Sequence, residues 1–435
     1  MKRTQVISIM LILLLSLSFS VFAQGAAEKP SAEEQQVTIR FLVPRWASTQ
    51  DVRIERQVAF QSVIDTFEAQ YPNVKVEEVV SSASSYDMDV VNQIVDGTVD
   101  VVWINSPLYP TLQEQGRFVN LKPLLKAGDD SDFFGWTFDA LQSVNGELGG
   151  LWHNTDVRLF FYRSDLIKEP VKTFDELIAV SRNLKQSNPE ISPVFFTLAH
   201  TDFMTHTWGN YIALGGTALD ASGRPIVLEG KNRTYWEKIF TTYKAMYDER
   251  LLHESAIVAR EAGAVPLLLS GSLASFIANS NYGVREITAK LPAEEASKWK
   301  ASLLPGFADA QGKSVSGGWV LSARKNSNKA VETAAANFVL HATSTASQRN
   351  VNKAGGWTPT RTSVFSSDPF FENDPYMVVA NEALKTSEVR PLVPIMPIIT
   401  AELTKALGSY VSGRSTLDRA LNDAQTIIQE EYKAL

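Results

Sequence analysis

The apolar positions along this chain change period repeatedly. Val37 to Val43 reads as a first strand, running into the loop Pro44-Arg45-Trp46. Val58, Phe60, Val63, Ile64 and Phe67 then fall at helical spacing, and Tyr71-Pro72-Asn73 stops that helix, because proline disfavours helix in the residue before it. Val74, Val76, Val79 and Val80 predict a second strand, Met88 to Val95 a helix, and Val99 to Ile104 a fully apolar third strand ended by Asn105-Ser106-Pro107. Strands alternating with helices predict a mainly parallel sheet flanked by helices. Ligands of such sheets bind beyond the carboxyl ends of the strands. Arg45, Trp46, Ser82, Ser84, Asn105 and Ser106 fall at those ends.

The stretch from Gly146 to Leu177 changes the picture. Gly146, Gly149 and Gly150 permit tight turns, and Trp152-His153-Asn154-Thr155-Asp156-Val157-Arg158 follows as a polar and aromatic run. Leu159-Phe160-Phe161-Tyr162 reads as a buried strand, and Thr173 with Glu176 has capping-box spacing for a new helix. This strand is expected to cross between two lobes, with the polar run lining the cleft between them. The alternation then restarts. Thr173–Leu184, Phe203–Leu214 and Arg233–Arg250 are predicted as helices, Val194–Phe196 and Leu273–Ala278 as strands, and Leu303–Gly306 as a strand exit. Gly317-Gly318-Trp319-Val320-Leu321 is a second candidate crossing strand. An Ala-rich helix from Ala330 to Thr343, the loop Gly355–Pro359 and several closing helices complete the chain, the last running from Ser415 to Lys433.

Several features narrow the function. Lys2 and Arg3, the apolar Val6–Phe22 and the site Val21-Phe22-Ala23 form a secretory signal over residues 1–23. The run is too short and too serine-broken for a membrane anchor. Residues 24–36 have no apolar period and read as a disordered leader. Cleavage removes two cations from a chain already at net charge −7, and this acidity argues against nucleic acid. The chain has no cysteine, hence neither disulfides nor a lipidated N-terminal Cys, so a periplasmic or secreted location is expected.

Enzyme signals are weak. Gly306–Ser314 has five residues between its glycines where a phosphate loop needs four. No Gly-x-Ser-x-Gly elbow occurs, and His200 and His206 are badly spaced for one metal. No metal and no cofactor are expected. Tryptophan is abundant by contrast. Trp136, Trp236 and Trp299 lie in helical contexts, whereas Trp46, Trp152, Trp208, Trp319 and Trp357 lie at strand exits or beside glycine. An indole face suits the C–H face of a pyranose, while amides and charges take the hydroxyls. Packing in ordinary core is the alternative for each indole, a surface ion pair is the alternative for Asp156 and Arg158, and strand termination is the alternative for Asn105 and Asn279.

The order of features resembles the extracellular solute-binding proteins of ABC importers, family 1, the sugar-binding, maltose-binding-protein-like group. The resemblance is carried by Phe67-Glu68 with Tyr71-Pro72-Asn73-Val74-Lys75-Val76, by Asp100–Trp103, and by Gly116, Phe118 and Leu121. It continues through Leu159–Leu166 with Thr173–Leu177, then Gly271, and Gly318 with Ala335, Ala336 and Phe338. Arg163 stands where the family usually has Asn, and Gly271-Ser272-Leu273-Ala274-Ser275 departs from its usual Gly-Lys-Ala-Ala-Met. The resemblance implies the type II periplasmic-binding fold, an α/β architecture of two lobes joined by crossing hinge segments. The N-terminal lobe is expected over residues 37–157 and 320–371, the C-terminal lobe over 158–319 and 372–435. It implies a monomeric binding protein that captures a sugar or oligosaccharide by hinge closure and delivers it to ABC permease subunits. The expected ligand-binding set is Arg45, Trp46, Ser84, Asn105, Trp152, Asp156, Arg158, Trp208, Asn279, Trp319, Trp357 and Arg361. A secreted glycoside hydrolase, or a binding protein for an amino acid or metal, is the alternative.

Overall fold

A computed structural model describes residues 36–143, 145–198, 200, 202–307 and 311–435. The expected signal, and the leader up to residue 35, lie outside the described residues. Strands β1 (Val37–Pro44), β2 (Val74–Ser81) and β3 (Val101–Asn105) form with helices α1 (Ile54–Gln70) and α2 (Tyr86–Asp96) between them. α1 buries Phe60, Val63, Ile64 and Phe67, an i, i+3, i+4, i+7 stripe, and ends at Tyr71 as the following proline requires. α2 is capped by the Ser85 hydroxyl and closed by Gly97 in the left-handed conformation.

These strands belong to a seven-stranded sheet of order β2-β1-β3-β8-β4-β9, in which β4 is Leu151–Asp156, β8 Val315–Ala323 and β9 Thr358–Pro359; β10 (Glu388–Val389) pairs the start of β8. β1 pairs β2 and β3 in parallel, but β8 runs antiparallel to β3 and β4. The sheet is therefore more mixed than strand–helix alternation implies. β8 enters from the other lobe, so its direction is set by that crossing and not by a local β-α-β turn. The second sheet, β6-β5-β7 (Ser275–Asn279, Arg158–Arg163, Trp299–Ser302), is antiparallel throughout. The expected strand Val194–Phe196 makes only isolated parallel bridges, Val194 to Leu252 and Phe195 to Phe276. Trp299, expected in a helix, opens β7, and Leu303–Gly306 follows that strand.

Two apolar cores divide the chain. One gathers Ile39, Phe41, Val101–Ile104, Leu151, Trp152, Val320, Leu321 and Phe338. The other gathers Val157, Leu159–Tyr162, Phe174, Trp208, Trp236, Tyr243, Phe276 and the closing helices. The chain passes from one core to the other between Trp152 and Val157, along β8 from Val315 to Val320, and from Trp357 to Val364. Val364, Phe365 and Phe371 pack in the second core, so the chain leaves the first lobe near residue 360, earlier than the expected 371.

Helix α3 (Phe174–Ser187) starts at the expected cap, with the Glu176 N–H donating to the Thr173 hydroxyl at 3.1 Å; the Glu176 carboxylate accepts from Lys172 N–H, one residue before the cap. Helices α4 (Phe203–Ala213) and α5 (Gly230–Asp248) carry the second lobe's aromatic core, with Tyr211 and Trp236 stacked at 4.6 Å. On β8, Gly318 has φ of 130°, and a Cβ there would lie 2.5 Å from the Asn154 carbonyl oxygen. Only glycine lets β8 cross this close to β4.

Candidate functional site

A cavity of about 380 Å³ opens between the two lobes, within the roughly 300–1,000 Å³ typical of small-molecule sites. Its aromatic wall comes from the first lobe. Trp46 stands in the single turn after β1, Trp319 on β8, and Trp357 in the loop before β9. The Trp46 ring lies 4.9 Å from Trp319 at 67° and 5.5 Å from Trp357 at 80°. This edge-to-face cluster fixes each indole against the others while Trp46 and Trp319 stay half-buried.

The rim beside the aromatics is cationic. Asp51, Val52, Arg53 and Arg56 line it from the start of α1. The Arg56 guanidinium covers Trp357 at 4.6 Å and donates to Asp51 at 3.1 Å and to the Trp46 carbonyl at 3.2 Å. Burial, then the neighbouring Arg53, pulls the Arg56 pKa down.

The floor is the hinge. Asn154, Thr155 and Asp156 on β4 and Gly318 on β8 line it. Opposite, the second lobe contributes Asn279 at the end of β6, then Asn281 and Arg285. The Asn279 amide donates to the Asp156 carboxylate at 3.0 Å, and the Asn279 backbone N–H donates to Glu261 at 2.7 Å. Arg285 sits on a π-helical turn, Gly283–Thr288, a geometry rare enough that it often marks function.

A family model for bacterial extracellular solute-binding proteins matches residues 53–349. The chain belongs to this family. The fold agrees across almost the whole chain. A sugar-binding protein MalE from Xanthomonas citri superposes with a TM-score of 0.75 at 19% identity, covering 91% of this chain and 97% of that one. The GacH receptor of Streptomyces glaucescens, solved unliganded and with acarbose, gives 0.73 at 17% identity, over 92% and 98% of the two chains. A maltose-bound MalE3 of T. maritima gives 0.72 at 20%, over 92% and 100%. Among the described residues of this binding protein, no helix is long and apolar enough to cross a membrane, and no cluster of three or more acids and histidines is placed to hold a metal.

Of the expected ligand-binding residues, the structure brings Trp46, Asp156, Asn279, Trp319 and Trp357 to the cleft. The others lie elsewhere, for identifiable reasons. Trp152 is buried in the first core, its indole N–H donating to the Thr137 carbonyl at 3.0 Å. Trp208 is 0% exposed, packed against Tyr211 and Trp236 in the second core. Arg361 is fastened inside the first lobe. It donates to the Thr343 carbonyl, to Asp129 at 2.9 Å and to Asp132 at 3.0 Å, and lies over Phe133.

Arg158 is buried behind the cleft floor, bonded to Asp156 at 2.9 Å and Glu261 at 3.0 Å. Burial works against its charge, but the two carboxylates together hold the guanidinium protonated. It braces Asp156 from behind and presents no free face to a ligand. Arg45 and Ser84 are exposed outside the cleft, and Asn105 is half-buried at the end of β3, opposite Trp319.

Sequence reasoning missed Asp51, Arg53, Arg56 and Arg285. Two of these carry a readable signal: Arg53 is the N-cap of α1 and Arg56 sits in its first turn. A helix start disfavours cations, so arginines there ask for a reason beyond helix stability. Nothing comparable marks Arg285.

Proposed function

We propose that this chain is the substrate-binding component of an ABC importer and captures a sugar or short oligosaccharide between its lobes. The observation that carries the saccharide reading is the division of labour across the cleft. Trp46 and Trp319 offer apolar faces from one lobe, with Trp357 beside them under Arg56, while Asn279, Asn281, Asp156 and arginines offer hydrogen bonds. A pyranose presents that combination of C–H face and hydroxyl edge. The proteins of similar fold described above include one solved with maltose bound and one in complex with acarbose, which supports the same reading. In this proposal the lobes close on the ligand about the segments near 157, 317 and 360, driven by the closed state's greater affinity. The closed protein then docks on the membrane permease as a monomer, after export by the residue 1–23 signal to the periplasm or medium.

The test is a thermal-shift screen of the mature protein against mono- and oligosaccharides, followed by calorimetry and product analysis. Saturable binding with ligand recovered intact is the expected result. Turnover of the ligand would favour a glycoside hydrolase, and binding of amino acids alone would remove the saccharide reading.

A further inference from the structure

The cleft holds more positive charge than its own acids neutralise. Asp51 is taken up by Arg56 and by the Arg53 backbone N–H at 2.9 Å. Asp156 is taken up by Arg158 and Asn279. Glu286, beside Arg285 in sequence, pairs with Lys290. The side chains of Arg53 and Arg285 have no ion pair and no hydrogen bond among the described residues, although both line the cavity. Arg53 is exposed and Arg285 half-buried. Among the described residues the Nε atoms of Arg56 and Arg285 are buried without a partner, and Arg56 itself is only 4% exposed.

These cations come from both lobes. Arg53 and Arg56 stand at the start of the 17-residue helix α1 in the first lobe, Arg285 in the second. Their charges act on one another across the gap. Burial, then Arg53, depresses the Arg285 pKa against the opposite pull of Glu286, Tyr282 and Asp51, and Arg285 adds a smaller part to the lowering at Arg56, where Asp51 pulls the other way. The N-terminal end of α1 adds further positive potential at the same place. An empty cleft of this kind resists closing, because closing brings like charges together. An oxyanion between them turns that repulsion into charge-assisted hydrogen bonds from both sides, which arginine forms well with carboxylate and phosphate.

We infer that the ligand is an acidic saccharide, whose sugar ring lies on Trp46 and Trp319 and whose oxyanion is held between Arg53, Arg56 and Arg285 from opposite lobes. This rests on the saccharide reading above. The anion then does two things: it selects charged over neutral sugars, and it couples binding to closure, since only the closed state engages both sets of arginines. A uronate carboxylate and a sugar phosphate share this chemistry.

The test is calorimetry on the mature protein with digalacturonate, glucose 6-phosphate, maltose and inorganic phosphate as separate titrants. An acidic sugar is expected to bind at least tenfold more tightly than maltose, and whichever acidic sugar does so identifies the source of the oxyanion. Arg53→Gln and Arg285→Gln should each abolish most of that preference. Arg53 is exposed, so its variant does not depend on the core for folding, and a melting curve checks the other. Maltose binding as tightly as either acidic sugar overturns the inference and leaves the saccharide reading standing, as does a preference that survives both substitutions. Inorganic phosphate binding as tightly as the sugars, or no sugar binding at all, overturns both.

Discussion

The Asn279 amide donates to the Asp156 carboxylate at 3.0 Å, joining the end of β6 in the second lobe to the end of β4 in the first. Asp156 is held from behind by Arg158, itself on the strand that pairs with β6. The bond therefore sets where a carboxylate oxygen faces the cleft. Asn279→Ala should cost about 1 kcal/mol of stability, the usual net worth of a hydrogen bond. It should weaken ligand binding by several-fold, because both partners line the cavity. Denaturant titration and calorimetry measure the two effects; unchanged affinity would show that this pair shapes the hinge without touching ligand.

The tryptophans should separate under mutation. Trp319 is half-buried on β8, whereas Trp357 is 9% exposed and roofed by Arg56. Trp319→Ala should weaken saccharide binding by about tenfold or more, as expected for a stacking face worth on the order of 1–3 kcal/mol, with a small change in melting temperature. Trp357→Ala should lower both, since it also opens the first core. Equal losses of stability in the two variants would contradict this division.

The apolar pattern of the chain exposes the first three strands and α1, strand exits lead to Trp46 and Asn279, and the glycine pair Gly317-Gly318 points to Trp319 within β8. The antiparallel course of β8 is not readable locally, since it depends on where the chain has been. Trp152 and Asp156 share one polar run, yet only Asp156 reaches the cleft. A bulge between Trp152 and Asn154 breaks the strand's alternation, and neither propensity nor spacing signals it. The glycine neighbour of Trp208 makes its indole eligible by sequence, but α4 buries Phe203, Met204 and His206 to Tyr211 and leaves no indole for a ligand. Arg285 was missed because its position comes from a π-turn in the second lobe facing a helix start more than two hundred residues earlier.

Arg158 yields a stability prediction. Arg158→Ala strips a buried carboxylate, Glu261, of its cation. Burial already pushes the Glu261 pKa up, with Arg158 and the Asn279 N–H pulling the other way. Breaking a buried pair by removing one member typically costs about 3–5 kcal/mol. Glu261→Gln in the same chain should recover part of that loss, because the uncompensated charge goes with it. A double-mutant cycle by chemical denaturation reads the coupling; additive losses would mean that the pair contributes nothing to the fold.

The last prediction concerns acid. His153 and His206 are buried, one against Trp103 in the first core and the other against Phe196 in the second. Burial lowers both pKa values to about 3, with Arg158 adding to the effect at His206. Among the described residues neither His153 Nδ1 nor His206 Nε2 has a hydrogen-bond partner, and none of them offers an acceptor there for an added proton. The unfolded chain takes up protons near pH 6.5, whereas the folded protein takes them up only near pH 3. Between those values the unfolded state binds more protons, so stability rises with pH. It is fully present above about pH 6.5 and falls as the solution is acidified towards pH 3. Each histidine contributes up to about 1.4 kcal/mol per pH unit across that window. His153→Phe and His206→Phe should each flatten the fall in melting temperature between pH 6.5 and 4, whatever they do to stability at neutral pH. An acid profile as steep in both variants as in the parent would place the sensitivity on other groups.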